Sequence, residues 1–473
     1  MQHMFRRSSA RDLSVRLTQG PIVPALLRLA WPVMLTNLFQ TAYNFADRYW
    51  LAQYSPIGVA AVQVSWPLIF LVLSVGSGIT IAGTALVSQH TGAGQEEEAN
   101  LAAGQVLLFA GSLSVVLALI GAPAAGPILS LVSPEADLAA TATTYLRIIY
   151  AGMPLMFATF IGNSLLNGVG DTVTPMVLMF GSVLLNVILD PLLIFGWGPF
   201  PEWGIAGAAI ATLLSRAALV IVGFGLLFSG RLGIHIRKRH VQPNWSVIRR
   251  IVTIGGMASA GNAGTAIGFT IMNGALTRIG THVVNAFGIG NSFISIALMP
   301  AMGLGQATAT MVGQNLGADQ PQRARASAWA GIGISTAILA AAACVVFATR
   351  TSLIRIFMDD PDVIRAGTNM LLMVGFAFPF MGIIQVVMGV YQGSGHTFYS
   401  MFFGLFRLWA LRVPLVLLLP FVFQMGANGV WWAMLASNFG AAALSIVFFL
   451  SGNWMRQVIR TRPADGKTQR GEP

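Results

Sequence analysis

Residues 182–196 read Ser-Val-Leu-Leu-Asn-Val-Ile-Leu-Asp-Pro-Leu-Leu-Ile-Phe-Gly, an apolar run that carries one carboxylate, Asp190. On a helix, Asn186 and Asp190 are four residues apart and share one face. Pro191 has no N–H, so the carbonyl of Val187, four residues earlier, loses its helical partner. Ionisable residues are costly inside a membrane and mark functional sites by default. The alternative is a polar pair that only holds two helices together.

The composition places this run in an integral membrane protein. Of the 473 residues, 55% are hydrophobic and 9% are charged, whereas soluble proteins carry about 25% charged residues. Apolar runs of about 20 residues indicate transmembrane helices, and we predict an all-α fold with twelve of them. The predicted spans are 25–52, 57–88, 100–121, 139–167, 175–196, 204–230, 249–278, 282–313, 324–349, 363–392, 397–421 and 428–455.

The net charge of +11 is concentrated outside these spans or at their ends. The clusters are Arg6, Arg7, Arg11 and Arg16; Arg231, Arg237, Lys238, Arg239, Arg249 and Arg250; and Arg456, Arg460, Arg462, Lys467 and Arg470. Basic loops face the cytoplasm, so we expect a multi-pass protein of the plasma (inner) membrane with both termini inside. The pattern argues against nucleic acid as a partner and favours contact with anionic lipid.

The two halves of the chain repeat. Gln89-His-Thr-Gly-Ala-Gly-Gln corresponds to Gln314-Asn-Leu-Gly-Ala-Asp-Gln (314 − 89 = 225), and Asn167-Gly-Val-Gly-Asp-Thr to Gln392-Gly-Ser-Gly-His-Thr (392 − 167 = 225). Pro154 and Pro379 have the same offset, while Gly204-Ile-Ala-Gly and Gly426-Ala-Asn-Gly differ by 222. The predicted domains are a cytoplasmic segment 1–24, an N-lobe 25–230 with helices 1–6, a basic linker 231–248, a C-lobe 249–455 with helices 7–12, and a basic tail 456–473. Two six-helix repeats with a cavity between them are a common transporter plan.

Only two of the sixteen acidic residues lie within predicted spans, Asp47 and Asp190. At about 1.5 Å per residue, Asp47 lies about 8 Å from the outer end of its span, Asp190 about 9 Å and Thr212 about 12 Å. This common depth permits one shared site. Tyr43 is one turn from Asp47, and Tyr145 falls at a similar depth. The alternative for Asp47 is a local ion pair with Arg48.

Two neighbouring carboxylates in a low-dielectric environment repel each other, so the pair can take up a proton from outside. It can equally hold Na⁺ together with Asn186, Thr212 and a free carbonyl, because hard cations prefer oxygen ligands. Pro32 gives the first helix a position at which it can bend when the charge changes, and Pro191 is a second hinge candidate.

An intramembrane aspartyl protease is the enzyme alternative, because Gly168-Val-Gly-Asp171 matches its Gly-x-Gly-Asp signature. However, Asp171 lies in a short loop, its counterpart in the repeat is His396, and Asp47 follows Ala46 rather than a tyrosine. The six histidines have no metal-ligand spacing and no loop has the pattern of an ATP site. We therefore expect a protein that is not an enzyme and has no cofactor beyond H⁺ or Na⁺ as a coupling ion.

These motifs together resemble the multidrug and toxic compound extrusion (MATE) family over nearly all of residues 25–455. The matching elements are Trp31-Pro32, Asp47, Gln89-x-x-Gly92-Ala93-Gly94, Gly168-x-Gly170-Asp171-Thr172, Asn186-x-x-x-Asp190-Pro191 and Gly204-x-Ala-Gly207-Ala-Ala-x-Ala-Thr212. The resemblance implies two six-helix bundles in a V shape and export of bulky organic cations by antiport with H⁺ or Na⁺.

Within the family, the chain is similar to the DNA-damage-inducible-F-like branch, because it has no acidic residue in spans seven, eight and ten. Asp47, Asn186, Asp190 and Thr212 match the ion site of that branch, and Pro32 matches its bending position. Three further residues match polar positions around the lobe cavity: Tyr43, Tyr145 and Asn163. By the depth count, Asn163 falls near the cytoplasmic end, away from the other two.

Two functions remain open at this point. The first is a drug antiporter, expected to be monomeric, in which amphipathic organic cations and the coupling ion compete for Asp47 and Asp190. The second is a flippase of lipid precursors, whose cavity would carry basic residues toward a pyrophosphate. The arginines that keep this alternative open are Arg147, Arg216, Arg278, Arg407 and Arg412, of which Arg216 is the deepest, about 18 Å from the outer end of span six.

Overall fold

The computed structural model describes residues 10–132, 135–230 and 233–459. Within these ranges every regular element is helical, and the α-helices are α1 Ala10–Gln19, α2 Ile22–Tyr54, α3 Pro56–Gly92, α4 Glu96–Val132, α5 Ala136–Ala151, α6 Met153–Val169, α7 Val173–Ile194, α8 Gly204–Phe228, α9 Trp245–Ile279, α10 Thr281–Gly317, α11 Pro321–Arg355, α12 Pro361–Gly393, α13 Thr397–Leu405, α14 Val413–Leu417 and α15 Gly426–Leu450. The predicted basic residues at 6, 7, 231 and in 460–473 lie outside the described residues.

The helices confirm the predicted all-α membrane fold. Ten of the described helical segments are long and apolar enough to span a membrane, and α5 with α6, bent by 49° at Gly152, forms an eleventh. The remaining long helix is α9, whose 35 residues are less apolar. It takes the place of the seventh predicted span, and several of its polar residues face the other lobe.

Three predicted boundaries differ from the helix ends by five residues or more, and one of them is the end of the ninth span, predicted at 349, because α11 continues to Arg355. The third span was predicted to end at 121, but α4 continues through Pro123 and Pro127 to Val132, because a proline removes a single helical hydrogen bond and the apolar surroundings still favour a helix. The twelfth was predicted to reach 455, but α15 ends at Leu450. Gly452 follows with φ of +73°, a left-handed conformation that terminates helices.

The eleventh span contains two wide turns that sequence periodicity cannot reveal. Between α13 and α14 the chain forms a π-helix over Phe406–Arg412, and a second follows over Leu418–Val422. π-Helical turns are rare and occur frequently at functional sites. The first of them contains both Arg407 and Arg412, and the charge of Arg407 acts on Arg412.

Helix α2 contacts both lobes. We define the first lobe as α2–α8 and the second lobe as α9–α15. The first half of α2 packs on the second lobe, where Leu29 and Ala30 share an apolar cluster with Leu304 of α10. Its second half packs on α7, where Phe39 and Phe180 have ring centroids 5.1 Å apart. Pro32 lies within the first half, between Ala30 and Met34, which both lie against Gly303 of the second lobe, and about two turns before Phe39. The helix passes through Pro32 without a break.

The repeated motifs meet at the end of the molecule that carries α1, residues 233–244 and residues 453–459, which we call the basic face. The Gln89 side chain donates to the carbonyl of Gly393 (3.2 Å), and that of Gln314 donates to the carbonyl of Gly168 (3.0 Å). The two donors, Gln89 and Gln314, are related by the repeat offset (314 − 89 = 225). The two acceptors, Gly168 and Gly393, are related by the same offset (393 − 168 = 225). The two lobes are therefore joined at the basic face by a reciprocal, uncharged contact.

Glycines make this contact possible. A Cβ on Gly92 would lie 2.0 Å from the carbonyl oxygen of Gln314, and a Cβ on Gly317 would lie 1.9 Å from that of Gln89. The hydrogen bonds between transmembrane helices of the two lobes, such as Asn262 to Ser77 (2.8 Å), lie from mid-span to the basic face. The lobes are thus closed toward the basic face.

Candidate functional site

Three pairs of residues with helical spacing of four converge inside the first lobe. α2 supplies Tyr43 and Asp47, α7 supplies Asn186 and Asp190, and α8 supplies Thr212 and Arg216. Since each pair lies on one face of its helix, three inward-facing surfaces build a polar cluster within apolar helices. The structure brings together Asp47, Asn186, Asp190, Thr212 and Tyr43, which the sequence placed at a similar depth.

The hydrogen bonds of this cluster leave several oxygens without a partner. Thr212 donates its hydroxyl to Asp47 Oδ2 (3.4 Å), and the Asn186 amide donates to Asp190 Oδ1 (3.0 Å). With both carboxylates ionised, no donor reaches the buried atoms Asp47 Oδ1, Asn186 Oδ1 and Asp190 Oδ2 in the described structure, and the side chains of Asp47 and Asp190 are hydrogen-bonding neighbours that can share one proton. Asp190 and Asn186 are both 0% exposed. The cluster therefore presents unsatisfied oxygens in a dry environment, where a proton or a cation would be stabilised.

Arg216 is a member of this cluster that sequence reasoning did not assign to it. Its guanidinium carbon lies 5.3 Å from the centroid of the Tyr43 ring, a cation–π distance, and its charge acts on Asp47. Among the described residues neither aspartate forms an ion pair within 4 Å, so the predicted alternative of an Asp47–Arg48 pair is not found. The spacing of Arg216 from Thr212, one helical turn, was the signal that could have revealed its position.

The two tyrosines have different surroundings. Tyr43 is 1% exposed, and its hydroxyl lies 3.3 Å from the Thr212 carbonyl, to which it donates, and 3.2 Å from the Ser215 hydroxyl. Tyr145 lines a small cavity of about 50 Å³ beside Asp47 and Thr212. Since a water molecule takes about 30 Å³ in the liquid, this cavity accommodates an ion or one to two waters and is too small for a bulky organic cation.

Asn163 lies in a different, larger cavity. A space of about 420 Å³ separates the lobes, and Asn163 lines it. This interlobe cavity is bordered by carboxamides from both halves: Asn37, Asn163 and Asn167 from the first, and Asn262, Gln306, Gln385 and Gln392 from the second. The depth count had already separated Asn163 from Tyr43 and Tyr145, and the structure places it on the lobe interface instead.

Gly207 sets the distance between the two helices that carry Asp190 and Thr212. A Cβ at this position would lie 2.1 Å from the carbonyl oxygen of Leu193. We expect Gly207→Ala to push α8 away from α7, with an overpacking cost of about 1–3 kcal/mol, and to lower substrate efflux about fivefold or more. Thermal unfolding and efflux of the purified protein measure both effects.

Gly225→Ala is the matched control, because Gly225 lies on the same helix and a Cβ there meets no atom within 4 Å. It should raise helix stability slightly and leave efflux unchanged. Equal efflux and equal thermal unfolding of Gly207→Ala and Gly225→Ala would show that the close approach of α7 and α8 does not position the site.

The fold and the two-lobed arrangement are those of a multi-pass membrane transporter. The MatE family profile matches residues 32–192 and 258–418, one segment in each repeat. The chain belongs to the MatE family of transporters and is not an enzyme.

Relatives of similar length support this assignment. The chain is 28% identical over 441 residues to a probable multidrug resistance protein NorM of Thermotoga maritima, covering 92% of this chain and 94% of the relative. It is 27% identical over 436 residues to a FAD transporter of Shewanella oneidensis, covering 89% and 93%. The fold matches an outward-facing multidrug resistance MATE family transporter of the MOP superfamily with a TM-score of 0.87 at 22% identity, covering 94% and 99%.

Proposed function

We propose that this protein is a multidrug efflux transporter that exports amphipathic organic cations in exchange for H⁺ or Na⁺. The observation that carries the proposal is the pair of neighbouring carboxyl groups of Asp47 and Asp190, which together with Asn186 present three oxygens without a donor in an otherwise apolar lobe. Relatives named as multidrug resistance proteins support drug export. We place the coupling ion among these three residues and Thr212, whose side chains offer the oxygen ligands that Na⁺ prefers and an acceptor for a proton.

Competition between the ion and the substrate for the carboxylates couples the transport of one to that of the other. With both aspartates ionised, the cluster with Arg216 has a net charge of −1, which attracts a cation. Uptake of H⁺ or Na⁺ removes this attraction, so ion and substrate bind in turn and one displaces the other. The small cavity beside Asp47 fits the ion, and a bulkier cation reaches the carboxylates only when α2 moves away from α8. Pro32, on the part of α2 that packs on the second lobe, and Pro191 are the proposed hinges for this movement.

We further propose that the basic face lies in the cytoplasm, as the positive-inside rule requires, in the inner membrane, with the lobes dividing at the linker 231–248. Arg237, Lys238 and Arg239 stand at this face next to the starts of α4 and α9. The closed end of the molecule then faces the cytoplasm, and the described state is the one from which a substrate leaves outward.

Efflux of ethidium by the purified, full-length protein in liposomes tests the proposal. A pH gradient and a Na⁺ gradient are imposed separately at equal membrane potential. We expect one of them to drive ethidium out of the compartment that corresponds to the cytoplasm, and the active gradient names the ion. Ethidium movement that ignores both gradients would overturn the antiport proposal.

A second candidate function rests on the second lobe. Arg412 is 2% exposed; its Nε donates to Ser437 (3.0 Å), and its Nη2 has no partner. The charge of Arg407 acts on it, and no carboxylate among the described residues pairs with either arginine. A buried cation, Arg412, and a half-buried one, Arg407, without a counter-ion favour an anionic ligand, as a flippase for lipid-linked pyrophosphates would bind. Transbilayer movement of a fluorescent lipid pyrophosphate in the same liposomes, lost in Arg412→Gln, would support this candidate over drug export.

A further inference from the structure

Arg216 places a permanent positive charge beside the two carboxylates of the first lobe. It lies at the middle of α8, its guanidinium carbon is 5.3 Å from the centroid of the Tyr43 ring, and its charge acts on Asp47. Its Nε is buried and has no hydrogen-bond partner in the described structure. An arginine does not lose its proton in a protein, and a charge in the middle of a membrane helix is costly. The presence of this charge therefore points to a function.

The internal repeat shows that the fold does not require the charge. The position of Arg216 is taken in the second lobe by Asn438 (438 − 216 = 222), at the offset that also relates Gly204 to Gly426. Asn438 donates its amide to the carbonyl of Met434 (2.9 Å). The last helix of one lobe therefore packs with an uncharged side chain at the place where the last helix of the other lobe has a cation. This difference connects the charge with the carboxylates of the first lobe.

Arg216 offsets negative charge without occupying the carboxylate oxygens. No nitrogen of Arg216 lies within 4 Å of a carboxylate oxygen in the described part of the chain. The guanidinium lies instead at the Tyr43 ring, and the Tyr43 hydroxyl is held by the Thr212 carbonyl (3.3 Å) and the Ser215 hydroxyl (3.2 Å). The carboxylate oxygens thus stay available to a mobile cation, while the guanidinium acts on them through space because the dielectric of the lobe is low.

The charges of the cluster determine how much positive charge it accepts. Asp47 and Asp190 carry two negative charges when ionised and Arg216 carries one positive charge, so the net charge is −1. One H⁺, one Na⁺ or one monovalent organic cation makes the cluster neutral, whereas a second positive charge would leave an uncompensated buried cation, which is strongly unfavourable. Arg48 also borders the small cavity, but it lies near the outer end of α2, where a long basic side chain can extend to water.

We propose that Arg216 limits the exchange to a single positive charge, so that the transporter exports monovalent organic cations, one for each H⁺ or Na⁺, and rejects divalent ones. The inference rests on the antiport proposed above and adds the charge of the substrate and the stoichiometry. Since one positive charge enters for each one that leaves, the exchange moves no net charge across the membrane. Without Arg216 the cluster has one more negative charge to neutralise and accepts a dication.

Ethidium and propidium form a matched pair of probes, because they share the phenanthridinium ring system and carry one and two positive charges. Their efflux from liposomes that contain the full-length protein is measured under the active ion gradient. We expect the unaltered protein to export propidium at least about tenfold more slowly than ethidium. Arg216→Gln and Arg216→Met should each raise the rate for propidium relative to ethidium about tenfold or more. Arg216→Lys is close to Arg216→Met in size but keeps the charge, so it should keep the preference for ethidium.

Arg147→Gln is the matched control, because it removes a positive charge from the same lobe. Arg147 is two residues from Tyr145 and therefore faces another side of α5, beside Gly126 of α4. This variant and Arg48→Gln should both keep the preference of the unaltered protein for ethidium. Equal export of the two dyes by the unaltered protein, no gain for propidium in Arg216→Gln and Arg216→Met, or an equal gain in Arg147→Gln or Arg48→Gln would each overturn the inference.

A measurement on the unaltered protein does not depend on the folding of any variant. A K⁺ diffusion potential is set with valinomycin while the ion gradient is held constant. The steady-state distribution of ethidium should stay unchanged, whereas an exchange that moves one net charge would shift it about tenfold at about 60 mV, and such a shift would overturn the inference. Absence of gradient-driven ethidium efflux refutes the antiport itself, while ethidium efflux without discrimination against propidium refutes only the role of Arg216.

Discussion

Replacing Asp190 with asparagine is expected to abolish gradient-driven efflux of ethidium, with a loss of about tenfold or more. Asp190 is fully buried, accepts from the Asn186 amide on one oxygen (3.0 Å) and lies beside the Asp47 carboxyl group, with no donor for its other oxygen. An asparagine has nearly the same shape but cannot carry the charge that a proton or Na⁺ neutralises. The exchange of ion for substrate therefore loses its driving step, although the fold remains.

The measurement is the initial rate of efflux from liposomes under the active ion gradient, together with the thermal unfolding of the purified variant. Asp171→Asn is the matched control. Asp171 caps α7, accepting from the backbone N–H groups of Val173 (3.2 Å) and Thr174 (3.0 Å), and asparagine caps helices equally well. This variant should keep efflux within about twofold of the unaltered protein. Full gradient-driven efflux by Asp190→Asn would make the carboxylate structural and would favour the flippase candidate.

Replacing Gly317 with alanine is expected to open the molecule at the basic face. The new Cβ would lie 1.9 Å from the backbone oxygen of Gln89, a distance that no real contact allows. Because the obstacle is backbone, a side-chain rotation cannot relieve it, and the lobes must separate. The hydrogen bonds from Gln89 to Gly393 and from Gln314 to Gly168 are then lost. We expect efflux to fall about tenfold or more, because alternating access needs this closed state.

Spin labels at Glu98→Cys and Gln322→Cys, in a Cys344→Ala background, report the separation of the lobes at this face. Gly317→Ala should lengthen the measured distance. Gly288→Ala is the control on the same helix, since a Cβ there meets no atom within 4 Å, and it should leave the distance unchanged. An unaltered distance in Gly317→Ala, with normal efflux, would show that the glycine contact does not hold the lobes closed.

Several features of the molecule could be predicted from the sequence because they depend only on composition and residue number along the chain. Long apolar runs and basic clusters predicted the membrane class, and the constant offset of 225 predicted two related lobes. The depth count placed Asp47 and Thr212 near each other, and the structure finds a hydrogen bond of 3.4 Å between them. Depth along a helix depends only on residue number, which is why this prediction needed no tertiary information. The roles of these residues in ion coupling stay predictions.

Only the tertiary structure decided which side chains meet. Rotation and crossing of helices bring Arg216 of α8 onto the ring of Tyr43 of α2 and place Asn163 on the lobe interface. The π-helical turn that contains Arg412 and the contact of Gly317 with Gln89 were likewise revealed only by the tertiary structure. The sequence by itself determined the number, order and apolar character of the helices, since these follow from local composition. Their mutual rotation follows from packing between residues far apart in the chain, and it alone determined the two cavities and the charged cluster.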